Sequence, residues 1–123
     1  MNALAVFIGG GIGAVLRYWL SGVIYRYAGS GFPWGTLAVN VLGSFAIGLL
    51  VTVLAERFAV SAALRVFLTI GVLGGFTTFS TFSYEAMALF NEGSFGWMSL
   101  YVLSTMIGCL AAAWLGLAAA KLL

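Results

Sequence analysis

The stretch Gly71-Val72-Leu73-Gly74-Gly75-Phe76-Thr77-Thr78-Phe79-Ser80-Thr81-Phe82-Ser83-Tyr84-Glu85 sets a glycine pair ahead of five Ser and Thr hydroxyls interleaved with three phenylalanines. Hydroxyls donate hydrogen bonds without carrying charge, and an aromatic ring presents a positive edge. Phe79 and Phe82 are three apart and share a helix face, which ordinarily means packing. With the donors Ser80, Thr81 and Ser83 beside them, their ring edges are also candidates for touching a desolvated anion. Thr36, Asn40 and Ser44 form a second polar stripe at four-residue spacing. The Asn40 amide can donate to an anion or hydrogen-bond a neighbouring helix. Tyr101, Thr105 and Cys109 repeat that spacing later in the chain. Arg17 and Glu85 are charges set in apolar sequence; each can snorkel, pair with the other, or set the potential of a vestibule.

The elements that position these groups must lie in lipid. Of 123 residues, 63% are hydrophobic and 7% charged, whereas soluble domains carry about 25% charged residues. The formal charge of +2 is too thin for a nucleic-acid footprint. With no His and one Cys, the chain lacks a His-centred triad, a zinc cluster, a CxxC pair and an intrachain disulfide. Met1-Asn2-Ala3 supplies no basic region of a secretory signal, so Met1 is expected to remain in the mature protein.

Hydropathy and punctuation give four spans at approximately 3–27, 35–55, 62–90 and 95–122, an all-α membrane protein with a single domain. Gly29, Ser30 and Gly31 with Pro33 make the first break, Glu56-Arg57 and Val60-Ser61 the second, and Asn91-Glu92-Gly93-Ser94 the third. Trp34, Trp97 and Tyr27 fall near span ends, at headgroup level. Gly9 and Gly13, Gly71 and Gly75, and Ser44 and Gly48 are each four apart, giving flat faces for close helix packing. The run from Gly9 to Ala14 matches a dinucleotide fingerprint but follows no strand, so packing is the better reading. In the third span the glycine pair and the hydroxyls predict a broken helix at Gly74 to Phe79. A break at membrane depth, tolerable only when buried in protein or lining water, is an ion-site candidate; a simple kink is the alternative.

Arg57, Arg65 and Lys121 fall on one side of the membrane, and Arg26 on the other, joined by Arg17 unless it sits too deep to count. So weak a bias is compatible with insertion in both orientations and pairing with an inverted copy, or with one ordinary orientation.

The chain resembles the Fluc fluoride channels of bacteria over essentially its whole length. The match rests on its size, four spans, Gly35-Thr36-Leu37-Ala38-Val39-Asn40, and the long motif from Gly74 to Ser83. The resemblance implies an antiparallel, dual-topology homodimer with two pores in the bacterial plasma membrane. It further implies that Phe79 and Phe82 are the pore phenylalanines and Asn40 the pore amide. Backbone carbonyls around Gly74 and Thr77 of both subunits would hold a central structural sodium. Tyr101, Thr105 and Cys109 would form the polar track of the last helix, with Cys109 departing from the family's usual hydroxyl, and Arg17 resembles its first-helix basic residue. The activity implied is passive export of cytoplasmic fluoride by a channel, not an enzyme. The rivals are a small proton-coupled exporter, of fluoride/proton antiport or multidrug type, and a noncatalytic assembly subunit. The first span offers Arg17 and no acid to a multidrug exporter, leaving Glu85 for proton coupling.

Overall fold

Apolar stretches of this length satisfy their backbone polar groups in lipid only as helices. In a computed structural model describing residues 2–123, four helical stretches are long and apolar enough to cross a membrane. Met1, expected to begin the mature protein, lies outside the described residues. Helix α1 covers Asn2–Ala28 and ends at Gly29, whose φ of +83° is a conformation that glycine adopts without a Cβ penalty. Pro33 then precedes α2, Trp34–Glu56, where its missing N–H costs nothing. Ser61 caps the third stretch by accepting the Leu64 N–H at 3.1 Å.

The third stretch, Ala62–Asn91, is two helices. Its first half, α3 (62–76), begins as α-helix at Ala62–Val66, widens to π-helix over Phe67–Leu73, and returns to α-helix at Gly74–Phe76. Thr77 and Thr78 are then extended, with ψ of 158° and 115°. The second half, α4, runs Phe79–Asn91, and the last helix, α5, runs Phe95–Lys121. The interruption therefore falls at the threonines inside the expected window, while Gly74 and Gly75 stay helical.

Close packing explains Gly75 and the glycines spaced with it, though not Gly74. A Cβ on Gly71 would stand 3.0 Å from the Gly9 Cα, one on Gly75 would collide with the Gly10 carbonyl, and one on Gly13 would strike the Val72 carbonyl. The α1 and α3 backbones thus touch through the faces that the spacing marks as flat. Helices α2 and α5 meet the same way: a Cβ on Gly48 would meet the Ala113 carbonyl, and one on Gly116 the Phe45 carbonyl. Gly116 was not singled out from the sequence. At one end, Phe32 from the α1–α2 connection packs with Phe82, Ala86, Leu89 and Tyr101. Much of the remaining large apolar surface, Phe7, Trp19 and Leu110 among it, is exposed, as lipid-facing surface should be.

Candidate functional site

Breaking a helix in lipid frees backbone groups that water cannot reach, and each left unpaired costs about 1–3 kcal/mol. Asn40 of α2 satisfies both groups of one residue. Its Nδ2 donates to the Thr78 carbonyl at 3.0 Å, and its Oδ1 accepts the Thr78 N–H at 2.8 Å. The two readings of Asn40 are therefore not exclusive: the amide is a structural clamp that retains one unused hydrogen. Thr78 in turn caps α4, its Oγ1 accepting the Thr81 N–H at 3.2 Å and donating to Thr81 Oγ1 at 3.0 Å. Gly43, three residues after Asn40 on α2, leaves room for the Thr77 side chain, which a Cβ there would strike. Its role was missed from the sequence.

A cleft of about 390 Å³ opens beside the break. Asn40 and Ser44 of α2, Gly74, Thr77 and Thr78 of the break, Phe79 and Phe82 of α4, and Thr105 and Cys109 of α5 all line it. Among the described residues no ionised side chain does. Thr105 Oγ1 is buried without a hydrogen-bond partner among the described residues, so a donor there is uncommitted. The two phenylalanines differ in setting. Phe79 is 74% exposed on the protomer surface, whereas Phe82 is 7% exposed and packs on Tyr101 with ring centroids 5.1 Å apart. Their own rings lie 5.5 Å apart, tilted by 56°.

A second cleft of about 260 Å³ lies across Thr78, lined by Arg17, Ser21 and Tyr25 of α1, Thr36 of α2, and Thr81 and Glu85 of α4. Arg17 and Glu85 both face it, yet no ion pair joins them among the described residues. Arg17 Nε is buried without a partner, and the Glu85 oxygens are taken by two tyrosines. Tyr25 donates to Oε2 at 3.0 Å and Tyr101 to Oε1 at 3.2 Å. Tyr101 is thus fully buried and turned to Glu85 rather than to the first cleft, which splits the α5 track after its first member. Ser80 is exposed, and the Ser83 hydroxyl donates back to the Phe79 carbonyl at 3.0 Å. Tyr25 escaped the sequence reading. Arg17, Ser21 and Tyr25 sit at four-residue spacing, so α1 carries a polar stripe as the other spans do, and that spacing was the available signal.

Among the described residues no three His, Cys, Asp or Glu side chains group together to hold a metal. A cation at the break would have to be held by neutral oxygens. Helix α3 offers them: beyond Leu73, whose carbonyl accepts from both Thr77 N and Thr77 Oγ1 at 3.0 Å, its last carbonyls have no following helical turn to bond. The Thr78 N–H that a continuous helix would give to Gly74 goes to Asn40 instead.

The sequence matches the protein-family model described as CrcB-like protein, Camphor Resistance (CrcB), over residues 4–117. The Fluoride-specific ion channel FluC of Geobacter sulfurreducens is 51% identical over 118 residues, covering 96% of this chain and 95% of that protein. The protein of the same name from Agrobacterium fabrum is 50% identical over 118 residues, covering 96% and 94%. That of Magnetococcus marinus is 48% identical over 123 residues, the full length of both. A family match over nearly the whole length, with relatives this similar, means that the chain belongs to the CrcB/FluC family of fluoride-specific ion channels.

Proposed function

We propose that the chain forms a passive fluoride channel of the bacterial plasma membrane, through which cytoplasmic fluoride leaves down its electrochemical gradient and its toxicity is reduced. The observation that carries this reading is the wall of the break cleft, which among the described residues offers donors and ring edges but no ionised side chain. Fluoride is small and strongly hydrated, so a pore must replace its water with closely spaced donors, and a fixed cation among them would hold the ion instead of passing it. The free Thr105 hydroxyl, the spare Asn40 hydrogen, and the edges of Phe79 and Phe82 are the groups assigned to that task. Cys109 adds a weak donor. Ser80 and Thr81 serve the ion outside this cleft, while Ser83 and Tyr101, already bonded, orient their neighbours.

The functional unit proposed is an antiparallel, dual-topology homodimer. Support comes from what one protomer leaves open: Phe79 stands exposed, and Gly74 has nothing within 4 Å of where its Cβ would be. Carbonyls ending a helix at membrane depth also need a covering partner. A sodium ion at the interface fits the donors present, being a hard cation suited to neutral oxygens. The carbonyls of Gly74 and Thr77 would hold it, and its charge would offset the carbonyl ends of two facing helices.

The test is efflux from liposomes loaded with potassium fluoride or potassium chloride, with valinomycin carrying the counter-charge and ion-selective electrodes reading each anion. Fast fluoride release with little chloride release, unchanged by an imposed proton gradient, is the expected result. Silence for both anions from well-folded dimers would reject it, and fluoride flux that follows the proton gradient would replace it with proton-coupled export through Glu85.

A further inference from the structure

Opposite charges facing one small cleft in a low-dielectric medium attract strongly and ordinarily pair. Arg17 and Glu85 face the same cleft of about 260 Å³ and do not. Glu85 is held back by hydroxyls on both of its oxygens, and a carboxylate that accepts two such hydrogens has its charge spread away from the cleft. Of the two tyrosines, Tyr101 is fixed by burial in the core with Phe32 and Phe82. Tyr25 is fixed by hydrogen bonds: its hydroxyl lies 3.3 Å from Thr36 Oγ1 and accepts the Thr36 N–H at 3.4 Å while donating to Glu85. Gly35 gives its ring room, since a Cβ there would stand 2.7 Å from Tyr25 Cε2.

Tyr25 and Glu85 also line a third cleft of about 260 Å³, beside Ser30, Gly31 and Pro33 of the α1–α2 connection and Glu92. The Tyr25–Glu85 hydrogen bond is therefore part of the wall between a compartment at the connection and the one containing Arg17. We propose that Tyr25 is a positioning residue that latches Glu85 away from Arg17. The latch leaves the guanidinium free to attract an anion and keeps the second cleft open as a compartment of the anion route. The proposal rests on the channel reading above and adds a residue to it. With the latch released, Glu85 keeps one anchor, swings toward the unpartnered Arg17, and closes the compartment with an ion pair whose neutralised guanidinium no longer attracts fluoride.

Tyr25→Phe removes the latch and keeps the ring in its slot. Two measurements follow: fluoride efflux in the liposome assay, and the infrared carboxylate band in a Glu56→Gln, Glu92→Gln background. The chain has three acidic residues, so Glu85 is then its one carboxylate side chain. A hydrogen bond to a charged group is strong enough that its loss should slow efflux about tenfold and shift the band. Thermal unfolding should stay cooperative with a lowered midpoint, because the Thr36 N–H also loses its acceptor. Efflux equal to wild type overturns the proposal, wherever the band lies. Slower efflux with an unmoved band also overturns it, because Tyr25 would then act through packing and not through Glu85. A wild-type protein that releases neither anion is a different failure: it rejects the channel reading, and the route falls with it. If Tyr25→Phe does not fold, Thr36→Val removes the side-chain half of the anchor that positions the same hydroxyl, leaving the Thr36 N–H in place, and is read by the same two criteria.

Discussion

The break cleft and the Arg17 cleft share Thr78 as a wall, yet they are built from opposite chemistry. The first holds an amide, hydroxyls, a thiol and phenyl rings; the second holds a guanidinium and a carboxylate kept apart by tyrosine. Charge acts over distance and draws ions in, but it discriminates poorly between halides and binds them too well to release them quickly. Neutral donors act only at contact and therefore sort ions by size. In the proposed channel, placing the two on either side of one extended residue would separate collection from selection, with the Asn40 clamp on Thr78 standing between them.

The most damaging way to break that division is to put a charge into the neutral cleft. Asn40→Asp keeps an acceptor for the Thr78 N–H but loses the donor to its carbonyl, and it sets a carboxylate on the wall. Repulsion between unit charges at contact is about 4 kcal/mol at an effective dielectric of 20, so fluoride efflux should fall at least a hundredfold. The unpaired carbonyl should cost about 1–3 kcal/mol of stability. A variant that conducts normally would place the ion away from Asn40.

The phenylalanines sharpen the comparison because their settings differ. Phe79→Ile and Phe82→Ile should each slow fluoride efflux by roughly tenfold, the scale of an aromatic contact of about 1 kcal/mol or more. Only Phe82→Ile should lower the unfolding midpoint, by the equivalent of about 1–2 kcal/mol, since it alone is buried against Tyr101. Unchanged flux in both would remove the rings from the pore.

Much of this was legible in the sequence for physical reasons. Helix ends follow punctuation that lipid makes strict: Gly29, Pro33, Ser61 and Gly93 each do at a terminus what their backbone or side chain favours. The glycine faces of α1 and α3 were readable from spacing alone. The exact place of the break was not, because local propensity weakens the helix at Gly74-Gly75, while the backbone of Gly10 pressing on Gly75 keeps it helical. The chain opens at Thr77-Thr78 instead, where a residue from another helix can satisfy it. Spacing on one helix cannot reveal that partner. It also placed Tyr101 on a track with Thr105, whereas the hydroxyl is captured by Glu85 on α4. Tyr25 lay on a readable stripe but resembles an interfacial aromatic near a span end.

Thr105→Val separates function from stability. The hydroxyl it removes is buried and unpartnered among the described residues, so its loss relieves a desolvated group while keeping the side chain's shape. Stability should hold or rise by up to about 1 kcal/mol, while fluoride efflux falls severalfold. A fall in stability with unchanged flux would mean that the hydroxyl is satisfied in the dimer and takes no part in conduction.

Cys109→Ser should have the smallest effect, and its sign is informative. Cys109 lines the break cleft one helical turn beyond Thr105 and is half-buried. A thiol is a weak donor and a hydroxyl a good one, so the substitution strengthens the last donor of the α5 track without adding charge. If fluoride passes this point, efflux should rise by no more than about threefold, because one improved neutral contact contributes about 0.5 kcal/mol or a little more. Chloride efflux should not change, since a contact beyond the rings adds nothing to size selection. Fluoride efflux that stays at the wild-type rate ends the donor track at Thr105 and confines the neutral half of the route to Asn40, the phenylalanines and that single hydroxyl.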